Sequence, residues 1–241
     1  MNTDTAPVVV TGANRNIGAH IANRLIDDGF SVIAVYRSDT DDIAGLIERG
    51  AHAVQGEFAD TASTRAIAGR IRALAPRLRA LIHNASAFAP TDENIEAASD
   101  QFQAFFEVHM RAPYLLNTEL ADCLAGSREA PGDIVQITDI QADTPKPVYD
   151  VYCATKAGLQ NLGLSFAKRL APTIKVNMIQ PGPISFQDWV DDADREQTLA
   201  ATPLEKTGTP ETIYTAVRGC LDNPFQTGAV IAVDGGLRLG N

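Results

Sequence analysis

Cysteine is scarce in this chain. Cys123, Cys153 and Cys220 are the three in 241 residues, far apart and without a CxxC. That excludes a disulfide-stapled scaffold and a cysteine-built metal centre, and an odd, unclustered set suits a reducing compartment. Histidine is nearly as rare, four residues with no pair at metal-ligand spacing, so no metal is expected. Basic residues are outnumbered: 20 Lys and Arg face 30 Asp and Glu, a net charge of −10. Such a surface repels phosphate backbones, so nucleic acid is not an expected partner. No apolar run approaches the ~18 residues of a membrane span, and no membrane contact is expected. The opening MNTDTAPVVV carries Asp4 and no positive region before its apolar run, unlike a secretory leader. A cytoplasmic protein is the expectation. Internal repeats, low-complexity tracts and linkers are absent.

The chain does hold an ordinary globular composition, 45% hydrophobic and 21% charged. Its length allows burial of ~70% of the surface the unfolded chain exposes. Short runs rich in Val and Ile occur at Pro7–Thr11, Ser31–Tyr36, Ala51–Gln55, Ala80–His83, Asp133–Thr138, Ile174–Ile179 and Ala229–Val233. They mostly do not alternate with polar residues, as befits strands covered on both faces. Helical faces lie between them. Ile17, Ile21, Leu25 and Ile26 end at Gly29; Ile67, Ile71 and Leu74 precede Pro76. Phe102, Phe105, Phe106, Val108 and Met110 open a long segment toward Leu124, and Leu159, Leu162, Phe166 and Leu170 stop at Pro172. This alternation predicts one doubly wound α/β domain over 1–241, a seven-stranded parallel sheet with helices on both faces. The irregular stretch Pro181–Pro210 holds Trp189 and the acids Asp188, Asp191, Asp192 and Asp194. So long a connection reads as a substrate lid at 183–209; the alternative is a solvated surface helix.

The first strand runs into Thr11-Gly12-Ala13-Asn14-Arg15-Asn16-Ile17-Gly18 and then a helix. Glycines at such a turn let the backbone approach a pyrophosphate, which meets the helix N-terminus. Strand two ends in Tyr36-Arg37-Ser38, where dinucleotide folds read the adenosine ribose. A guanidinium there suits a 2′-phosphate, and Arg15 stands within reach. NADP(H) is therefore expected over NAD(H), against the alternative that Arg37 is a solvated strand-end charge. Strand four ends in His83-Asn84-Ala85-Ser86, small residues fit for a cofactor crevice, with His83 read as packed. Tyr152 and Lys156, four apart at a helix start, share a face. The ammonium is expected to lower the tyrosine pKa from ~10 and so to poise the pair for proton exchange.

Taken in order, TGxxxxxG, Asn84-Ala85, Tyr152-x-x-x-Lys156, Pro181-Gly182 and Thr227-Gly228…Val233-Asp234-Gly235-Gly236 resemble the short-chain dehydrogenases/reductases over about residues 7–238. The resemblance implies a single Rossmann domain, hydride transfer from a nicotinamide, and a homotetramer. It gives Lys156 a second task, holding ribose hydroxyls. Pro181 and Gly182 join Gly12, Asn14, Arg15, Asn16, Ile17, Gly18, Tyr36, Arg37, Ser38, Asn84, Ala85 and Ser86 as the implied cofactor contacts. Glu57 stands where an Asp usually meets the adenine.

A serine usually stands thirteen residues before the tyrosine in that family; here it is Asp139. This resembles the pteridine reductases and dihydromonapterin reductases. Reducing a pterin C=N puts charge on a ring nitrogen that must gain a proton, and a carboxyl group can supply one. The alternative assigns the serine's place to Thr138. The segment His83–Phe88 resembles the one in which a serine and a phenylalanine line the pterin site, which nominates Ser86 and Phe88, with Trp189 from the lid. Two positions depart from the pattern. Asn16 stands where the pterin-reducing subgroup has an arginine. His109 replaces the asparagine that holds a water beside the lysine; it is read as a substitute proton relay or as a packed helix residue. The expectation is an NADPH-dependent pterin reductase with catalytic Asp139, Tyr152 and Lys156. The alternatives are a ketone-reducing carbonyl reductase and a non-catalytic NADP(H) sensor.

Overall fold

A computed structural model describes residues 6–186 and 190–240. Seven strands, β1 Val8–Thr11, β2 Val32–Tyr36, β3 His52–Gln55, β4 Ala80–His83, β5 Gly132–Ile137, β6 Ile174–Pro181 and β7 Val230–Val233, form one parallel sheet. Their order is β3-β2-β1-β4-β5-β6-β7. The chain leaves β1 toward β2 on one side and returns to β4 on the other, so the order reverses between β1 and β4. In open α/β sheets a ligand crevice lies outside the strand carboxyl ends at such a point.

The uninterrupted apolar runs follow from the two layers of helices. In β1, Val8 and Val10 pack with Ile21 and Leu25 of α1 (Asn16–Asp27) and with Ile213 and Val217 of α9 (Pro210–Asp222). Val9 points the other way, into a core with Ile67 and Ile71 of α3 (Thr61–Leu74) and Phe166 of α7 (Asp150–Leu170). Successive strand side chains face opposite layers, so a strand between two layers has no polar face.

Two helices not read from the periodicity are α2 (Asp41–Glu48), capped by Thr40, and α9, capped by Thr209. The segment expected to run unbroken from Phe102 is divided. It forms α4 (Ile95–Phe106), a π-helical turn over Glu107–Arg111, α5 (Ala112–Glu119) and the short α6 (Ala121–Leu124). Nor is the stretch after β6 wholly irregular. It contains α8 (Asp192–Ala200), which buries no residue. Its feet are tied together, Gly208 N–H donating to Pro183 O at 2.9 Å. Among the described residues no helix is long and apolar enough to cross a membrane, and no His/Cys/Asp/Glu group could hold a metal ion.

Candidate active site

The cleft at the switch point has a volume of about 1510 Å³. Gly12, Asn14, Arg15, Asn16, Ile17, Gly18, Tyr36, Arg37, Ser38, Glu57, Asn84, Ala85, Ser86, Phe88, Asp139, Tyr152, Lys156, Pro181 and Gly182 all line it. Trp189, expected over the substrate, lies outside the described residues.

One end of the cleft is a cradle of backbone. Gly12 adopts a positive φ of 67°, and a Cβ there would meet Ala85 Cα at 2.8 Å. The loop is braced from β4: Asn84 Nδ2 donates to Thr11 O at 3.2 Å and to Gly12 O at 3.1 Å. Thr11 Oγ1 accepts the N–H groups of Asn84 and Ala85 at 3.0 and 3.1 Å. A second tie joins the loop to the end of β2, Asn14 Nδ2 donating to Ser38 O at 3.3 Å. Whereas α2, α3 and α9 begin under a Thr or Asp side-chain cap, α1 begins at Arg15 without one. Its first N–H groups and the positive end of its dipole face the cleft, an arrangement that fits a pyrophosphate. Asn16 is left-handed, with φ 49°, a conformation asparagine tolerates better than most side chains. Farther out, Arg37 Nη1 lies 3.3 Å from Glu57 Oε1, both well exposed. So exposed a pair is worth little and yields readily to a better anion.

The other end holds the polar side chains. Tyr152 Oη donates to Asp139 Oδ2 at 2.8 Å. Asp139 Oδ1 accepts from Gln141 N–H at 2.9 Å, which orients the carboxylate. Thr138, the alternative to Asp139, is buried and spends its hydroxyl on Ile179 O at 2.9 Å. Lys156 is buried and donates to Ile137 O at 3.0 Å. Burial pushes the Lys156 ammonium down to about 8, partly opposed by the Asp139 charge. Burial raises the Asp139 carboxyl above its ordinary range. The expected lowering of the Tyr152 pKa by Lys156 is not what this geometry produces. Burial first, and then the Asp139 carboxylate, push the phenol well above 10. The lysine Nζ stands 5.6 Å from the ring centroid and gives one of its three N–H groups to the Ile137 carbonyl. Tyr152 therefore holds its proton firmly, and the group that titrates lower is Asp139. The two act as one coupled pair.

Phe88 packs its ring 4.7 Å from Tyr149 and edge-on at 4.8 Å from Tyr152. His83, read as packed, is buried with Nε2 2.7 Å from Asn117 Oδ1, and burial lowers its pKa to about 4. His109 is also buried, but it touches the site through Ser86 and Thr155. Cys153 is a buried free thiol whose pKa burial raises, and its Sγ faces Gln141 Oε1 at 3.3 Å. Sequence reasoning missed Thr155 and the cleft-lining Gln141, Lys146, Tyr149 and Gln197, while Asp194, one of the acids of the expected lid, does line the cleft. For those on loops no periodicity could have marked them. Thr155, on the face of α7 next to Tyr152, carried a spacing signal only.

A parallel sheet in this order, with a capless first helix under a glycine turn and a buried Tyr-x-x-x-Lys across the crevice, defines a nicotinamide-dependent oxidoreductase of the short-chain class. The family described as enoyl-(acyl carrier protein) reductase matches residues 12–238. The chain belongs to this family of short-chain dehydrogenases/reductases. Among its relatives is a dihydromonapterin reductase of Escherichia coli, 34% identical over 238 residues and 99% of each chain. A dihydromonapterin reductase of Klebsiella pneumoniae is 34% identical over 97% of each chain. A solved structure of FolM alternative dihydrofolate reductase 1 from Brucella canis, complexed with NADP, superposes with a TM-score of 0.88. It is 28% identical, over 98% of this chain and 95% of that one.

Proposed function

We propose that this protein is an NADPH-dependent reductase of dihydropterins, of the dihydromonapterin type. The observation that carries the reading is the buried hydroxyl of Tyr152 donating at 2.8 Å to the Asp139 carboxylate. A ketone oxygen gaining negative charge would be repelled by a carboxylate at that point. A ring nitrogen that must be protonated is served by it. The names of the E. coli and K. pneumoniae relatives support the same substrate class.

The cradle fits the cofactor. Gly12, Gly18 and the first turn of α1 would hold the pyrophosphate, and Arg37 with Ser38 and Arg15 the 2′-phosphate. The NADP in the Brucella structure supports this choice. When bound, the nicotinamide supplies the hydride. The chain's part is to move the proton. With Asp139 protonated, its O–H donates to the Tyr152 oxygen as Tyr152 passes its own proton to the substrate nitrogen. Tyr152 is restored in the same step and Asp139 is left ionised. Lys156 keeps a positive charge near the pair and would hold the ribose; Ser86 and Phe88 position the ring. The segment 183–209, whose feet meet at Pro183 and Gly208, would close over the substrate as a lid.

NADPH absorbance followed with dihydromonapterin, dihydrobiopterin, biopterin and dihydrofolate, beside a panel of ketones, tests the reading. Saturable turnover of a pterin is the expected result. Turnover of ketones alone overturns it in favour of a carbonyl reductase, and silence on every substrate with NADPH still bound favours a sensor. A pH series sharpens the test. Asp139 has a raised pKa, so its protonated form persists to higher pH than an ordinary carboxyl. The kcat/KM for a pterin should fall as pH rises through that ionisation, and Asp139→Asn should lose both the step and most of the turnover. The variant Arg37→Ala should raise the KM for NADPH roughly 10- to 100-fold, the worth of one charged hydrogen bond. It should leave that for NADH nearly unchanged.

We further propose a cytoplasmic homotetramer. Free, buried Cys123, Cys153 and Cys220 suit a reducing compartment. The edge strand β7 presents exposed Val230 beside fully exposed Phe225, an apolar margin a second copy would cover. Light scattering on the eluted protein measures the state.

A further inference from the structure

His109 sits in the π-helical turn between α4 and α5, a kind of distortion that recurs at functional sites. It is almost wholly buried, 1% exposed. Its neighbours fix where its proton lies. Nδ1 is 2.8 Å from Thr155 Oγ1, and the Thr155 hydroxyl donates at 2.9 Å to the Tyr152 carbonyl. A hydroxyl has one proton to give, so Thr155 accepts from Nδ1–H. On the other side of the ring, Ala87 N–H donates to Nε2 at 3.3 Å, which requires a lone pair there. Two neighbours on different parts of the fold thus select the same neutral tautomer, Nδ1–H with Nε2 bare.

The consequence falls on Ser86. Its Oγ lies 2.8 Å from Nε2, nearer than Ala87 N at 3.3 Å, so the hydroxyl is the main donor to the one lone pair that the two share. Two other acceptors compete for that proton, Ala87 O, farther at 3.4 Å, and the Tyr152 hydroxyl oxygen, which Ser86 also reaches. With its only proton turned inward to the imidazole, the Ser86 oxygen presents its lone pairs outward, and Ser86 lines the cleft. The charged group facing the ring from α7 is Lys156, whose ammonium together with burial keeps His109 neutral. Tyr152 of α7 and Phe105 of α4 pack against the ring. On its own turn, Glu107 and Arg111 are paired with each other.

We propose that His109 is a positioning residue that locks the Ser86 hydroxyl as a hydrogen-bond acceptor toward the cleft, so that the site selects substrates offering an N–H donor at that point. The inference rests on the pterin reading, since a dihydropterin carries ring N–H and amino donors and a simple ketone carries none. It also closes one proton route. A bare Nε2 has nothing to hand through Ser86 to Tyr152, so the tyrosine is recharged from Asp139 and not from His109. Of the two readings the sequence left open for this histidine, a relay and a packed residue, neither is a clamp.

The tautomer is read directly from two-bond 15N–1H correlations of the imidazoles in the free, specifically labelled full-length protein. The expected result is a proton on Nδ1 alone across the neutral pH range. Kinetics then follow His109→Asn, Ser86→Ala and the double variant on the pterin that the wild type turns over. Each single change should raise the pterin KM roughly 3- to 10-fold, the worth of one neutral hydrogen bond. In His109→Asn the kcat and the shape of its pH profile should be kept. The double variant should be no worse than Ser86→Ala, because His109 acts through that hydroxyl. Thr155→Val removes the Nδ1 acceptor by another path and should give the same KM effect, even where His109→Asn unfolds.

A proton on Nε2, additive losses in the double variant, or a fall in kcat with an altered pH profile would each overturn the clamp. Absence of pterin turnover with the Nδ1–H form intact supports the clamp and overturns only the pterin reading.

Discussion

Tyr152→Phe is expected to lower kcat for the pterin by about 10²- to 10⁴-fold, the usual contribution of a positioned general acid, or roughly 3–5 kcal/mol of barrier. The loss is large because the phenol is the link between carboxyl and substrate. Its hydroxyl touches Asp139 at 2.8 Å, and its ring is fixed edge-on by Phe88, Phe105 and His109. Phenylalanine keeps the ring and that packing, so the fold should be undisturbed. Affinity for NADPH, measured by fluorescence titration, should change less than about threefold, since the glycine loop and Lys156 do not depend on the hydroxyl. The residual rate should also lose its dependence on Asp139. Without the phenol oxygen the carboxyl has no path to the substrate, and burial without a donor holds its pKa higher still. Tyr152→Phe with undiminished kcat would remove the tyrosine from the chemistry and with it the reading of the cleft as a reductase site.

Much of this architecture was legible in the sequence for a simple reason. Each strand is covered on both faces, so Val8, Val9 and Val10 are all fully buried and the run reads as a strand without any alternation. The opposite holds for α8. It buries nothing, so it has no apolar stripe to fix its bounds, and it answers to the solvated surface helix that stood as the alternative to an irregular lid. In α4–α5 the apolar residues continue through the π-helical turn, which adds a residue to one turn without breaking the chain of hydrophobics. Helix α9 is legible through Thr209, Pro210 at its first position and Thr212 in a capping box, and through the buried stripe Ile213, Val217, Cys220 and Leu221.

The site divides along the same line. Spacing along the chain placed Asp139, Tyr152 and Lys156 at one cleft, because i and i+4 share a helix face and strand ends converge. Spacing fixes where a Cβ stands and not where a long side chain ends. Lys156 reaches past the phenol to Ile137 O, and so the tyrosine pKa moves up where proximity to an ammonium suggested down. His109 shows the same limit. Its partners Ser86 and Thr155 are 23 and 46 residues away in sequence, and the tautomer is set by which of them must donate.

The largest structural effect is expected from a single methyl group. In Gly18→Ala the new Cβ would stand 2.1 Å from the Gly12 carbonyl oxygen and 2.4 Å from Asn84 Nδ2. Neither neighbour can give way cheaply. The Gly12 carbonyl is backbone, and Asn84 is the brace that holds Thr11 and Gly12 to β4. The helix must move off the loop, or the loop must leave the pyrophosphate cradle. Overpacking typically costs about 1–3 kcal/mol, and against backbone the upper end applies. A chain of this size loses roughly 2–4 °C of Tm per kcal/mol, so a fall of about 6–12 °C is expected. NADPH affinity should drop more than about 100-fold, because the carbonyl and N–H groups displaced are those of the cradle. The matched control is Gly69→Ala in α3, where an added Cβ meets nothing within 4 Å. There the same substitution removes a helix-interior glycine and should stabilise by about 0.5–1 kcal/mol, raising Tm by roughly 1–4 °C with NADPH binding unchanged. Calorimetry with and without NADPH separates the two. Equal melting of Gly18→Ala and wild type would mean that α1 and its loop have slack that their hydrogen bonds do not show. The cofactor end of the cleft would then have to be built from Arg37 and Asn84 and not from the close approach of Gly12 and Gly18.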